Sequence, residues 1–233
     1  MGDTWPGRSL LGRLTEATRR LVLDLGTPIT YPANHLVIRE GDDDGFAVLV
    51  LDGAVKVVAT DATGDTGLLA VKCRGDLVGE MAALDGKPRS AGVVTCAPVD
   101  GRRIPPEELN RFLSRHDEVL VELVRIGNEQ LRWANELRRE MSLPAAARVA
   151  RVLLHLVRLH GLHTPRGWAL GYPLTKIELA SLAGMKPRTA EKAFSELRTA
   201  GVVETSPRRG VLIPDLHHLH DFADNPTADN TGR

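Results

Sequence analysis

The chain has 233 residues, 42% of them apolar, and its 30 basic side chains balance 30 acidic ones. That is room for one large domain or two modest ones. No apolar run approaches the ~18 residues of a membrane span, the first residues lack the pattern of a secretory signal, and two cysteines, Cys73 and Cys96, cannot supply a disulfide framework or a four-thiolate iron–sulfur cluster, so a cytoplasmic protein without membrane contact is expected.

Leu10, Leu11, Leu14, Ala17, Leu21 and Leu25 recur at helical spacing and predict a helix over residues 9–25, stopped by Gly26 and Pro28. From Ile29 to Ile104 the pattern changes to short Val-, Leu- and Ile-rich runs between turn signals such as Glu40-Gly41-Asp42, Asp61 to Gly64 and Arg74-Gly75-Asp76. Phe46–Leu51 and Ala54–Ala59 flank Asp52-Gly53, which reads as a hairpin. Strands so spaced argue for an antiparallel sandwich or barrel, interrupted by one helical piece from Glu80 to Leu84.

Within that region, Val78-Gly79-Glu80-Met81-Ala82 precedes Arg89-Ser90-Ala91. A buried phosphate needs an arginine for paired hydrogen bonds, and it also accepts from hydroxyl and backbone N–H donors, here Ser90 and the start of the Glu80 helix. Gly79 lets backbone approach closely, and the Glu80 carboxylate suits a sugar hydroxyl. The plain alternative is an internal Glu80–Arg89 ion pair.

Glu107–Leu113 is a short predicted helix and Asp117–Met141 a long one. Leu120, Val124, Gly127, Leu131, Ala134 and Met141 follow alternating steps of four and three, broken at Arg138. Such a stripe fits a dimer seam; the alternative is a helix packed on its own domain. Leu143-Pro144-Ala145 reads as a hinge. Beyond it the charge turns: residues 1–143 carry a net −4, residues 144–213 a net +7 and residues 214–233 a net −3. Phosphate neutralisation depends on local charge, so the basic block is expected to be a DNA-binding domain.

A helix over 145–160 carries Val149, Val152, Leu153, Leu156 and Leu159 on one face, and residues 161–173 read as a loop. Then comes a helix-turn-helix. Thr175 and Glu178 form a capping box, Gly184 makes the turn, and Pro187 opens the second helix. Lys186, Arg188, Thr189 and Lys192 would project from its first half, the part that meets base edges and phosphates. Arg188 suits guanine, whereas Lys192 and Arg198 suit the backbone. Val202-Val203 and Val211-Leu212-Ile213 flank Ser206-Pro207-Arg208-Arg209-Gly210, a wing whose tip arginines reach a neighbouring phosphate. The polar end is expected to be partly disordered.

Together these motifs resemble the CRP/FNR superfamily of bacterial transcription regulators, from about Leu10 to Ile213. The resemblance implies an α+β architecture in parts: a sensor domain of antiparallel β-roll type (a cyclic-nucleotide-binding-like jelly roll) over residues 1–113, a dimerisation helix and hinge over 114–143, a winged helix-turn-helix over 144–214, and a tail over 215–233. It also implies a homodimer on near-palindromic double-stranded DNA, with RNA polymerase as a further partner and an effector acting through the hinge. Gly79, Glu80, Met81, Ala82, Arg89 and Ser90 match the family's phosphate cassette, implying cyclic AMP or another cyclic nucleotide as effector. Where cyclic-AMP binders place a Thr-Ser pair against adenine, this chain has Ala134-Asn135 in one register and Trp133-Ala134 in the other; neither supplies two hydroxyls. Pro187 and Arg188 also depart from the best-known recognition helix.

Other readings stand beside this one. Some relatives of that family need no ligand. A nucleotide-binding module whose winged helix docks protein is a third possibility, against which the basic block argues. His35 and His116 are candidate haem ligands, and His217, His218 and His220 candidate metal ligands, each more simply structural or solvated. No nucleophile–base pair or phosphate-loop signature points to catalysis.

Overall fold

A computed structural model describes residues 5–62, 64–206 and 210–225, and the chain divides into two compact units, residues 1–132 and 133–233. The first unit opens with two helices, not one: α1 (Leu10–Arg13) and α2 (Glu16–Leu23). Hydrophobic periodicity runs through both, but the Ser9 side chain accepts from Gly12 N and the Thr15 side chain from Thr18 N, so each helix has its own N-cap.

Among the described residues eight strands follow: β1 (Thr27–Tyr31), β2 (Leu36–Ile38), β3 (Ala47–Asp52), β4 (Ala54–Thr60), β5 (Thr66–Cys73), β6 (Leu77–Val78), β7 (Gly92–Thr95) and β8 (Val99–Ile104). They form two antiparallel four-stranded sheets, ordered β1-β8-β3-β6 and β2-β7-β4-β5. The expected hairpin at Asp52-Gly53 is therefore not one. β3 pairs with β6 and β8, β4 pairs with β5 and β7, and the chain crosses between sheets after a register shift at Val50/Asp52.

β3 explains how this unit is layered. Val48 and Val50 join Ile38, Phe46, Val55, Val78, Val93 and Val99 in a core contributed by both sheets. Ala47 and Leu49 belong to a second core with Leu10, Leu11, Val22, Ile104, Leu109 and Leu113 from the helices and the first sheet. A strand buried on both faces reads as an unbroken apolar run, as this one does.

Helices α3 (Glu80–Asp85) and α4 (Pro106–Leu113) precede the long α5 (Asp117–Arg139). Val119 is buried in the helical core, with Leu123 and Ile126 packed against it. Arg13 adds a two-pronged bond to Glu129, at 2.6 and 3.0 Å, which holds that carboxyl below its usual range. α5 ends at Arg139, short of the Met141 expected from periodicity, and a 3-10 turn over Glu140–Ser142 follows.

In the second unit, α6 (Ala145–His160) is buried along most of its length, from Ala146 through Val157. Packed against it are α7 (Lys176–Leu182), α8 (Pro187–Thr199) and α9 (Leu216–Asp224). Strands β9 (Gly161–Thr164), β10 (Gly167–Leu170), β11 (Glu204–Ser206) and β12 (Gly210–Ile213) form one sheet in the order β11-β12-β10-β9. Residues 161–173, read as a loop, thus contain a hairpin; four-residue strands are too short to show alternation.

The first part of the segment read as a tail is helical, while residues 226–233, expected to be disordered, lie outside the described residues. Asp215 caps α9 by accepting from His217 N and His218 N, and Leu219 is fully buried. His217 and His220 face Asp221 and Asp224 along the same helix, at 3.4 and 3.2 Å. Leu219→Ala is expected to cost about 2–4 kcal/mol of unfolding free energy by urea titration, the usual range for a buried leucine. A solvated tail would show no change.

Candidate functional site

The cassette residues converge at one end of the sheet pair. Gly79 follows β6 with a φ of +81° and caps α3, so Glu80, Met81 and Ala82 form that helix's first turn. Arg89 and Ser90 lie just before β7. A Cβ at Gly79 would sit 2.7 Å from Ile38 Cδ1 and 2.8 Å from Arg89 Nη1. Glycine is thus required twice, by its backbone conformation and by the guanidinium packed against it.

Arg89 has 2% of its side chain exposed. Its Nε donates to Asp44 Oδ1 at 2.8 Å, Nη1 to the Gly79 carbonyl at 2.8 Å and Nη2 to the Phe46 carbonyl at 2.6 Å. The guanidinium carbon lies 4.8 Å from the centre of the Phe46 ring. The alternative ion pair with Glu80 is therefore replaced by one with Asp44. A single N–H is committed at each nitrogen, so both Nη atoms keep a donor for a further oxygen. Ser90 is exposed, its hydroxyl 3.9 Å from Met81 Sδ. Met81 is exposed and Ala82 buried. The remaining Nη donors and the Ser90 hydroxyl are of the kind that a phosphate oxygen accepts from.

Sequence reasoning missed Asp44 and Phe46. The run Asp42-Asp43-Asp44 was the available signal, but periodicity does not show that this loop folds back onto Arg89. Two backbone bonds hold it there, Gly41 N to Arg89 O and Arg89 N to Asp42 O, both 2.9 Å.

On α5, Leu120, Val124 and Leu131 are 39%, 55% and 59% exposed, on a different face from the packed Val119, Leu123 and Ile126. Nothing lies within 4 Å of a Cβ built at Gly127. Ala134 and Asn135 are exposed further along α5. Trp133 is not: it stacks on His155 with ring centres 3.8 Å apart and planes 2° from parallel. Met141 lies off the helix, its sulfur 3.1 Å from Arg148 Nη1.

In the second unit the helix pair forms as expected. Thr175 and Glu178 make the reciprocal capping box, and Gly184 adopts a φ of +68° between the helices. Pro187 occupies the first turn of α8, after Lys186 at the N-cap. Ala190, Ala193, Phe194 and Leu197 are buried, while Lys186, Pro187, Arg188, Thr189 and Lys192 are exposed. Thr175 is occupied as a cap, Lys192 lies 4.0 Å from Glu196, and Lys176 bridges to Glu191 at 2.9 Å. Arg198 reaches Thr205 of the wing at 3.4 Å. Arg208 and Arg209 lie outside the described residues.

The remaining candidates have ordinary surroundings. His35 stacks on Tyr31 and His116 on Phe112. Neither cysteine forms a disulfide, and burial pushes the Cys73 thiol well above its usual range. Among the described residues no three His, Cys, Asp or Glu side chains are placed to hold a metal ion, and no helix is long and apolar enough to cross a membrane.

Residues 28–116 match the model of the cyclic nucleotide-binding domain, and residues 147–222 that of the Crp-like helix-turn-helix domain. The chain is 30% identical over 192 residues to the cyclic AMP receptor protein of Thermus thermophilus, covering 80% of this chain and 86% of that protein. It is 25% identical over 193 residues to the CRP-like cAMP-activated global transcriptional regulator of Mycobacterium tuberculosis, covering 82% and 86%. Among solved structures, a CooA mutant from Carboxydothermus hydrogenoformans shares the fold, with a TM-score of 0.71 at 19% identity over 96% of this chain and 97% of that one.

Proposed function

Because the chain belongs to the CRP/FNR family of transcription regulators, we propose that it acts as a homodimer on a near-palindromic operator under the control of a cyclic nucleotide. It is a DNA-binding regulator with a cyclic-nucleotide-binding domain and not an enzyme; the dimer, the operator and the effector are the proposal. The observation that carries it is the joint presence of a glycine-lined, buried Arg89 in one unit and an exposed, basic start of α8 in the other.

Each part has its physical support. The unpacked stripe Leu120, Val124, Gly127 and Leu131 supplies a seam for a second copy, with Ala134 continuing it and Met141 adjoining from the turn. Two copies of α8 would enter successive major grooves, about 34 Å apart. Lys186, Arg188, Thr189 and Lys192 would face the duplex, with Pro187 and Thr175 fixing the helix ends and Arg208 and Arg209 available from the wing. Two relatives carry cyclic AMP in their names, and the cassette Gly79, Glu80, Met81, Ala82, Arg89 and Ser90 suits a cyclic phosphate. By resemblance alone, Asn135 is the candidate for a purine edge in place of paired hydroxyls. A regulator that acts on genomic DNA would work in the cytoplasm, and we propose RNA polymerase as its further partner.

The test of the DNA reading is Arg188→Ala. It is expected to weaken operator binding by about 1–3 kcal/mol and to relax preference at one base pair, measured by titrating labelled duplexes at several salt concentrations. Unchanged affinity and preference would remove Arg188 from the base-reading set. A ligand-independent regulator is the second reading, favoured by the set of partners that Arg89 already has within the protein.

A further inference from the structure

The phosphate-binding arginine is already engaged by an anion of the protein's own. Asp44 occupies the Nε side of Arg89 at 2.8 Å, and its carboxylate is 44% exposed whereas the guanidinium is 2% exposed. The loop that carries it is fastened to the Arg89 backbone on both sides of the peptide, through Gly41 and Asp42. Asp42 and Asp43 stand exposed beside it. The buried cation therefore has one carboxylate in contact and two more on the same loop.

We infer that Asp44 is a specificity-determining residue of this pocket, a charge filter that admits a singly charged cyclic phosphodiester and rejects doubly charged phosphates. This rests on the reading of Arg89 as the effector's phosphate contact. A phosphate arriving at the free Nη donors places a second anion beside the one Asp44 already provides. One guanidinium cannot neutralise both, and like charges in a poorly solvated site repel strongly. A cyclic nucleotide brings one negative charge. A 5′-monophosphate or inorganic phosphate brings about 1.5 to 2 at neutral pH, and nearly two slightly above it, so it meets the larger repulsion. Asp44 has a way out, because its carboxylate already borders solvent; binding of the monoanion turns it outward at a cost in affinity. The backbone bonds at Gly41 and Asp42 keep the loop in place, so the carboxylate returns when the ligand leaves.

Asp44→Asn keeps the shape and a hydrogen-bond acceptor while removing the charge, and Asp44→Ser serves as a second variant should the first fold poorly. Affinities of the purified full chain for cyclic AMP, 5′-AMP and inorganic phosphate would be measured by calorimetry and by shifts in melting temperature. The expected result is a gain of about tenfold for cyclic AMP and a larger gain, about a hundredfold, for the two dianions, an increment of roughly 1.4 kcal/mol per decade. If the dianions bind the variants no better than wild type, or gain no more than cyclic AMP does, the filter is overturned. Should inorganic phosphate gain in the variants while cyclic AMP binds neither them nor wild type, the filter stands and the cyclic-nucleotide reading falls.

Discussion

Leu131→Glu is expected to yield a folded monomer that has lost most of its operator affinity. Leu131 is the most exposed of the large apolar side chains in the α5 stripe, at 59%, and Val124 follows at 55%. Neither packs in the core that takes up Val119, Leu123 and Ile126, so a carboxylate there costs the isolated chain little. At a seam it would instead face its own symmetry mate, because a twofold interface meets itself. Two buried carboxylates opposed across a dry contact would outweigh what the leucines contribute. Losing the partner then removes the second half-site from each binding event, a loss of about 10²–10⁴ in affinity for linked sites. Light scattering after gel filtration gives the mass, and duplex titration gives the affinity. A variant that remains dimeric with full affinity would mean that α5 does not form the seam.

Arg89→Leu is expected to abolish cyclic-nucleotide binding and to lower stability as well. The ligand loses its counter-charge, and the carbonyls of Gly79 and Phe46 lose their donors. Each buried carbonyl left without a donor costs about 1–3 kcal/mol, the Asp44 carboxylate is left beside solvent, and the apolar leucine offsets only part of the loss. Arg89→Lys separates the two effects: it keeps the charge but cannot span Asp44, Gly79 and Phe46 together. Calorimetry against cyclic AMP reads the first effect and urea unfolding the second. If Arg89→Leu retains normal ligand affinity, the effector does not bind through this residue.

The parts of this protein that could be read from sequence are those with local causes. Thr175 with Glu178, Gly184 and Pro187 each act within one or two turns of chain, and the helix pair they define is present residue for residue. The cassette was readable for the same reason, since Gly79 and Arg89 come in a fixed short order. Non-local pairing was not. Asp52-Gly53 has the composition of a hairpin, yet the chain leaves one sheet there for the other, a choice made by the two cores on either side of β3. The caps at Ser9 and Thr15 split a helix whose apolar spacing is continuous. α9 was missed because three histidines and two aspartates interrupt its apolar residues, of which Leu219 and Ala223 are buried. Asp44 was missed because its partner is 45 residues away.

The double-sided burial of β3 also limits how this domain can change over time. Ala47 and Leu49 fill one layer, Val48 and Val50 the other, and none is more than 1% exposed. A larger side chain in one layer has no slack to enter, and a shift of the strand to make room would disturb the opposite layer at once. Drift along these four positions therefore requires matched changes in two separate neighbourhoods. The carbonyl of Phe46 that holds Arg89 sits one residue before this strand, so the Arg89 side chain inherits the immobility of the least replaceable segment in the domain.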